Sequence, residues 1–438
     1  MREEVNVKQS SMTRRGFMKG AAGIAGLSLT RSSGPAFGAQ GANEKVVMGF
    51  IGTGGQGVAH IREFAKMEDV AIAAVCDVDR AHREEAAKAA GSSPKQFKDF
   101  RELLDMKDID AVLIATPDHW HGIVAIEACK AGKDIYCEKP MTHNIREGRL
   151  LLDAVKKHDR IVQIGTQQRS SRHWINAVDR IKANEIGKVH MVHVWNAWSS
   201  KEMRGNLGHP PDAPVPDGVD YDLWLGPAPK RPFNPLRFHW TFYFFWDYAG
   251  GMVSDWAVHL FDVVCWAMGP GVKSVSMIGG KLVFDDARDT PDTGTAGFEC
   301  PGYTMVYTIR HGNGWQPHGG GGHGIEFFGQ DRTLQINRSG FQIYRDEDRG
   351  TRKPFYEEKG STPLWDHERN FIECVRSRKR PNADAQNGYD MQIPCHLANI
   401  SYRVGGRRVY WDAKNETIPN DPEACELLTR TYREPWVL

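Results

Sequence analysis

Val46-Val47-Met48-Gly49-Phe50-Ile51-Gly52-Thr53-Gly54-Gly55-Gln56-Gly57 is the stretch that decides the fold. An unbroken β-prone run that ends in glycines predicts a buried strand, and the apolar spacing from Gln56 to Met67 predicts the helix it feeds. Glycines 52, 54 and 57 have the G-x-G-x-x-G spacing, which permits a tight turn and close backbone approach to a pyrophosphate at a helix N-terminus. Alone the pattern is weak. Here a second β-prone run, Val70 to Cys76, is followed by Asp77, 20 residues after Gly57, which completes the context the motif requires. A carboxylate there accepts hydrogen bonds from ribose hydroxyls and repels a 2′-phosphate, so NAD is the expected cofactor, held by Gly52, Gly54, Gly55, Gln56, Gly57 and Asp77. Arg80 and Arg83 are close enough in sequence to keep NADP open.

The alternation continues with helices near Arg80 to Ala90 and Phe100 to Leu104, a strand at Ala111 to Ala115 and a helix at His121 to Ala131. Strand Asp134 to Cys137, helix Ile145 to His158 and strand Ile161 to Ile164 follow, a βαβ series that predicts a doubly wound parallel sheet. The pattern changes near Thr166. A strand-like segment at Lys188 to Trp198, a Pro-rich loop from His209 to Pro235, and further strand-like segments at Ser274 to Ile278, Tyr303 to Ile309, Ile325 to Phe328, Thr333 to Ile336 and Phe341 to Tyr344 suggest a large, mostly antiparallel sheet. It is expected to pack on helices around Val253 to Met268 and His367 to Ser377. The fold class is therefore α/β, with a leader and linker at 1–42, a Rossmann domain at 43–166 and a substrate-binding, oligomerising α/β domain at 167–438.

Open α/β sheets bind ligands at the carboxyl edge of their strands. Two loops leave that edge. Thr116-Pro117-Asp118-His119-Trp120-His121 can touch the nicotinamide half of the cofactor, through Thr116, Pro117 and His121, although a capping or packing role serves His119 and His121 equally well. Glu138-Lys139-Pro140 places an ammonium where it can bond a substrate hydroxyl or shuttle its proton, with Glu138 and Lys139 also against the cofactor. Farther on, Gly250-Gly251-Met252-Val253-Ser254-Asp255-Trp256-Ala257-Val258-His259-Leu260-Phe261-Asp262 puts Asp255, His259 and Asp262 on one face of an otherwise apolar helix. A buried ionisable stripe needs partners or a ligand. His259 is read as acid or base on the reacting hydroxyl, Asp255 and Lys139 as its catalytic companions, and Asp262 as an orienting group.

The Glu-Lys-Pro triplet and the glycine pair followed by Asp-x3-His-x2-Asp resemble the two hallmarks of the Gfo/Idh/MocA oxidoreductases. The resemblance spans essentially the whole chain after the leader. It implies Lys139, Asp255 and His259 as the catalytic group, NAD as cofactor, and a homo-oligomer built on the large sheet. Hydride transfer from a sugar or polyol secondary hydroxyl is the expected activity. Redox-neutral glycoside cleavage, as in the NAD-dependent α-N-acetylgalactosaminidases of the same superfamily, is the rival, and a non-catalytic nucleotide-binding role is a third reading.

Between Tyr221 and Tyr248 lies a run of aromatics, from which Trp240 and Trp246 are the expected substrate wall, the others filling the core or an interface. His311, His318 and His323 sit in a Gly-rich stretch that reads as a hairpin or lid, and no metal is expected because no Cys, Asp or Glu completes a familiar spacing. The eight cysteines are scattered and read as free thiols. A net charge of +1 and 25% charged residues imply neither a nucleic-acid nor a membrane partner. Thr13-Arg14-Arg15-Gly16-Phe17-Met18-Lys19 before a short apolar run, Ala21 to Leu29, matches a twin-arginine export signal, too short for stable membrane insertion. The expected partners are thus a sugar, polyol or glycoside and the twin-arginine (Tat) export machinery, the expected place is periplasmic or otherwise exported, and the nucleotide is expected to be tightly held.

Overall fold

A computed structural model describes residues 45–315, 321–348, 351 and 353–438. The Arg14-Arg15 leader and His318 lie outside the described residues. Lys45–Leu438 forms one compact unit.

β1 (Val46–Ile51), α1 (Gly55–Phe64), β2 (Val70–Cys76), α2 (Arg80–Ala89), β3 (Lys95–Phe97), α3 (Phe100–Leu104), β4 (Ala111–Ile114), α4 (Asp118–Lys130), β5 (Asp134–Cys137), α5 (Ile145–His158) and β6 (Val162–Ile164) make the first layer set. Its strands are all parallel, in the order β3-β2-β1-β4-β5-β6, the doubly wound dinucleotide arrangement. Buried faces on both sides explain why β1, β4 and β5 read as continuous apolar runs.

The chain continues through α6 (Arg172–Lys182), β7 (Met191–Ala197), α7 (Tyr221–Leu225), α8 (Val258–Met268), β8 (Ser274–Gly280), β9 (Thr293–Cys300), β10 (Tyr303–Arg310), β11 (His323–Phe328), β12 (Arg332–Asn337), β13 (Gly340–Arg345), β14 (Tyr356–Lys359), α9 (Leu364–Ser377), α10 (Ala385–Arg403), β15 (Val409–Tyr410) and α11 (Pro422–Glu426). Nine strands form a mixed sheet in the order β14-β13-β12-β11-β7-β10-β9-β8-β15, in which only β7 and β10 run parallel. Among the elements that escaped the sequence reading, β9 and α10 did so for identifiable physical reasons. In β9, Gly294 and Gly297 dilute the strand pattern. In α10 nearly every residue is buried, so no apolar stripe marks it as a helix, and Pro394 lies inside it.

The C-terminal region also returns to the first sheet. Phe371 and Ile372 of α9 pack with Met48, Phe50, Phe64 and Tyr136 in one apolar cluster, and the Ile164 amide donates to the Ala383 carbonyl at 2.8 Å. The first sheet's cover on that side is thus supplied from some 200 residues downstream of β6, which fixes the two sheets against each other. Phe371 is fully buried and its ring meets Tyr136 edge-on at 5.8 Å. Replacing Phe371 with Ala is expected to cost roughly 3–5 kcal/mol through lost transfer energy and the cavity left behind, read as a lower urea midpoint at unchanged slope.

Candidate active site

Because the strands of the first sheet are parallel, the residues after β1, β2, β4 and β5 all emerge on one edge. At the usual strand spacing of about 4.8 Å, the ends of β2 and β5 are roughly 14 Å apart. A cleft of about 780 Å³ lies along this edge, lined by Gly52, Gly54, Gly55 and Gln56, by Asp77 and His82, by Thr116, Pro117, Asp118 and His121, and by Glu138 and Lys139. Its other wall includes Asp255, His259, Arg338, Trp198, Trp240 and Trp256.

The glycine turn fits a dinucleotide. Gly52 has φ +82°, and a Cβ there would come within 2.5 Å of the Ala115 and Thr116 backbone. Gly57 does not line the cleft. A Cβ on it would stand 2.1 Å from the Gly52 carbonyl, so this glycine lets α1 seat closely against the turn. The first turn of α1 holds no acidic residue and has no side-chain cap, leaving its amides open to an anion. Asp77 accepts from the Thr53 amide at 2.7 Å and the Asp79 amide at 2.9 Å, with His82 Nδ1 3.5 Å away. Burial opposes its charge, but His82 and these amides hold its carboxyl below the usual range. Arg83 donates to the Asp77 carbonyl at 2.6 Å.

At the other end, Lys139 Nζ donates to Asp255 Oδ1 at 2.6 Å and to the Asp255 carbonyl at 2.8 Å. Burial alone would favour the neutral amine, yet the charges of Asp255 and Glu138 keep the ammonium's pKa above the ordinary lysine value. His259 is 4% exposed and its Nδ1 is without a hydrogen-bond partner. Burial first, then Arg338 and Lys139, push its pKa well below the histidine range, so the imidazole is neutral. Asp118, which carried no site role in the sequence reading beyond starting a helix, presents a buried Oδ2 without a partner, and burial raises its pKa well above the carboxylate range against the Lys139 charge.

A single helical face for Asp255, His259 and Asp262 is not what forms. Val253–Ala257 is a π-turn that leads into α8, and this i→i+5 turn shifts the register between Asp255 and the residues that follow. Asp255 and His259 reach the cleft, whereas Asp262 is fully buried elsewhere, clamped by Arg169 Nε at 2.8 Å to both its oxygens. It anchors the helix. The aromatic wall also differs from expectation. Trp240 lies over Gly55 with the Arg204 guanidinium 5.4 Å from its ring, but Trp246 lies outside the cleft against Tyr402 and Arg403. Trp198 and Trp256, 5.1 Å apart edge-to-face, take its place. His311 and His323 both pack on Trp198. His121 lies between the two ligand-edge loops, with Nδ1 2.6 Å from the Pro140 carbonyl and Nε2 2.8 Å from the Thr116 carbonyl, and its one N–H in the neutral form donates to one of them.

Three groups were invisible in the sequence because their members are far apart. Asp79, His82 and His239 bring one potential ligand atom each within 4.8 Å of one another beside the Asp77 end, with His239 Nε2 3.1 Å from Asp79. Arg338, in the turn between β12 and β13, reaches the cleft from the second sheet. Behind Glu138 lies His60 of α1, with Nε2 2.8 Å from Glu138 Oε1 and Nδ1 2.6 Å from Glu368 Oε1. Burial would lower the pKa of His60, but the bonds to Glu138 and Glu368 and their charges raise it to about 9.

A glycine turn with an acid at the end of β2, leading to a paired lysine and a neutral histidine, defines a nicotinamide-nucleotide oxidoreductase site. Residues 46–166 match the NAD-binding Rossmann fold of the GFO_IDH_MocA oxidoreductase family, and residues 189–278 match its C-terminal alpha/beta domain. The chain belongs to the Gfo/Idh/MocA oxidoreductase family. It is 25% identical over 352 residues to myo-inositol 2-dehydrogenase of Thermotoga maritima, covering 78% of this chain and 91% of that protein. Alpha-N-acetylgalactosaminidase of Shewanella oneidensis is 29% identical over 179 residues, 38% of this chain and 39% of its own length. Among solved structures, the WlbA dehydrogenase from Bordetella pertussis, in complex with NADH and UDP-GlcNAcA, superposes with a TM-score of 0.63 at 21% identity, covering 84% of this chain and 99% of that one, a likeness of fold.

Because the folded pKa of His60 is raised from 6.5 to about 9, its contribution to stability is complete below pH 6.5 and is lost as pH rises through about 9. The wild type should lose on the order of 3 kcal/mol across that window, and His60→Gln should be weaker at pH 6 and lack the slope, as followed by urea denaturation at stepped pH.

Proposed function

We propose that this protein oxidises a secondary hydroxyl of a sugar or polyol, with tightly held NAD as the hydride acceptor. The observation that carries the reading is the pairing of a charged Lys139 with a neutral His259 in the cleft that begins at the glycine turn. Bound NAD supplies the acceptor carbon for the hydride. Lys139 has three N–H donors, two committed to Asp255, and the third is free to polarise the reacting oxygen. His259, held neutral, accepts the hydroxyl proton as the C–H bond breaks. Asp255 fixes the ammonium's position and charge. The similarity to myo-inositol 2-dehydrogenase supports a polyol or sugar, whereas the partial similarity to an α-N-acetylgalactosaminidase supports redox-neutral glycoside cleavage as the second reading.

Incubating the NAD-loaded protein with polyols, sugars and glycosides separates the two. Reduction of bound NAD that stops without an electron acceptor is the expected result, and sustained glycoside cleavage with unchanged absorbance would transfer the assignment to the hydrolase. Lys139→Ala and His259→Ala should each lower turnover by about 10²–10⁴. If both are silent, the assignment fails. With His259 acting as a neutral base, the acid limb of the pH–rate profile should lie well below pH 6.5.

Thr13 to Lys19 supports export of the folded protein by the twin-arginine route, and outside the cytoplasm a resident nucleotide is favoured over an exchanging one. The placement of Trp240 over Gly55 and of His239 on Asp79 supports tight retention at the glycine turn. The half-exposed face of the second sheet around His193, Val306 and Thr308 is the surface on which self-association is proposed. Changing Arg14 and Arg15 together to Lys should leave the protein in the cytoplasmic fraction. Unchanged partition would remove the export reading.

A further inference from the structure

Arg338 is a cation in the cleft without a carboxylate. The guanidinium lies 4.4 Å from the Trp256 ring centroid, and its Nε is buried with no hydrogen-bond partner. Among the described residues Lys139 is engaged with Asp255 and Glu138 with His60, while the cleft's other arginine, Arg204, is exposed and lies over Trp240. Farther along the lining, Asp77 has His82, and Glu202 accepts from Ser199. Burial raises the pKa of Asp118 well above the carboxylate range, against the Lys139 charge. A guanidinium keeps its charge even when burial opposes it, so Arg338 brings one uncompensated positive charge to the cleft. Leaving such a charge half-buried is costly, and a fold bears that cost where a ligand offsets it.

Its position points to the substrate rather than the dinucleotide phosphates. The charges that act on Arg338 are Glu138 and Asp255, and Arg338 in turn is the leading charge acting on His259 and on His323. It is not among the leading influences on Asp77 or His82. Arg338 and His259 also share one neighbour, since the His259 ring is 5.6 Å from the indole of Trp256. A single hexose-sized molecule beside that indole is placed to meet His259 with one group and Arg338 with another, with Trp198 and Trp256 as neighbouring walls of the cleft.

Building on the sugar-oxidation reading above, we propose that the substrate carries one carboxylate, as a hexuronic acid or its glycoside does, and that Arg338 is the residue that binds it. A monoanion suits the site better than a phosphate dianion, because Arg338 brings one guanidinium beside His259 and the carboxylates of Asp255 and Glu138 would repel a second negative charge. Arg is the side chain suited to the task, since its planar fork matches the two carboxylate oxygens.

The test uses full-length NAD-loaded protein with D-glucuronate, D-galacturonate and D-mannuronate, their neutral parent hexoses, and D-glucose 6-phosphate. Binding is read from tryptophan fluorescence, and oxidation from bound-nicotinamide absorbance. At least one uronate should bind about 10–100-fold more tightly than its parent hexose, the span expected of a charge-assisted bond. Arg338→Gln should bring that ratio to about one, and Arg338→Lys should restore part of it. Thermal melting controls for folding, since Arg338→Gln gives up the guanidinium's place over Trp256, and binding is compared only where the variant is folded. The proposal is overturned if no uronate outbinds its parent, if glucose 6-phosphate binds best, or if Arg338→Gln weakens acid and neutral sugars equally, as packing on Trp256 alone would. Uronate-selective binding through Arg338 without reduction of NAD would leave the carboxylate site standing and remove the dehydrogenase reading. Oxidation of neutral sugars with no preference for acids would do the reverse.

Discussion

The site depends on keeping an ammonium charged inside an apolar cleft. Lys139 leaves the end of β5 into a region where burial favours the neutral amine, and the charges of Asp255, 2.6 Å away, and of Glu138 reverse that preference. Asp255 must therefore be presented at one point in space by an element from the other half of the chain. The π-turn at Val253–Ala257 does this, and the buried Arg169–Asp262 clamp holds the helix that follows. Burial first, then Arg338 and the Lys139 ammonium, keep His259 neutral.

A second buried array stands behind the first. Glu138 lines the cleft beside Lys139, and His60 bridges it to Glu368 of α9. Three ionisable groups out of water are tolerable because each faces an opposite charge at hydrogen-bond distance. The array also ties α1, the loop after β5 and the C-terminal helix α9 at a single point. Apolar packing of Phe371 and Ile372 on the first sheet surrounds this tie. The glycine turn and the Lys139 loop are consequently held by the same piece of chain.

The parts that were legible in the sequence are local. The Rossmann glycines, Asp77, the Glu138-Lys139-Pro140 triplet and the Asp255–His259 spacing each lie within a short window, where strand or helix periodicity and turn chemistry leave a pattern. The parts that were not legible are those assembled across the chain. Asp79, His82 and His239 are separated by some 160 residues, and His60 and Glu368 by 308. Arg338 occupies a hairpin turn that looks like any other. Trp246 was chosen for its neighbours in sequence, yet the chain turns between it and Trp240, and only Trp240 lines the cleft. The α10 helix was hidden for the opposite reason, since burial on all sides erases amphipathicity.

By itself the sequence determined the parallel first sheet, the dinucleotide turn and the residue types of the catalytic group, because these follow from backbone periodicity and from glycine's freedom at Gly52. Tertiary structure alone decided which charges are paired and which are left open. Whether Lys139 is charged, His259 neutral, Asp262 withdrawn or Arg338 unpartnered depends on distances between residues remote in sequence. Electrostatic energy in a buried cleft falls off over a few ångströms of space, and separation along the chain carries no record of it.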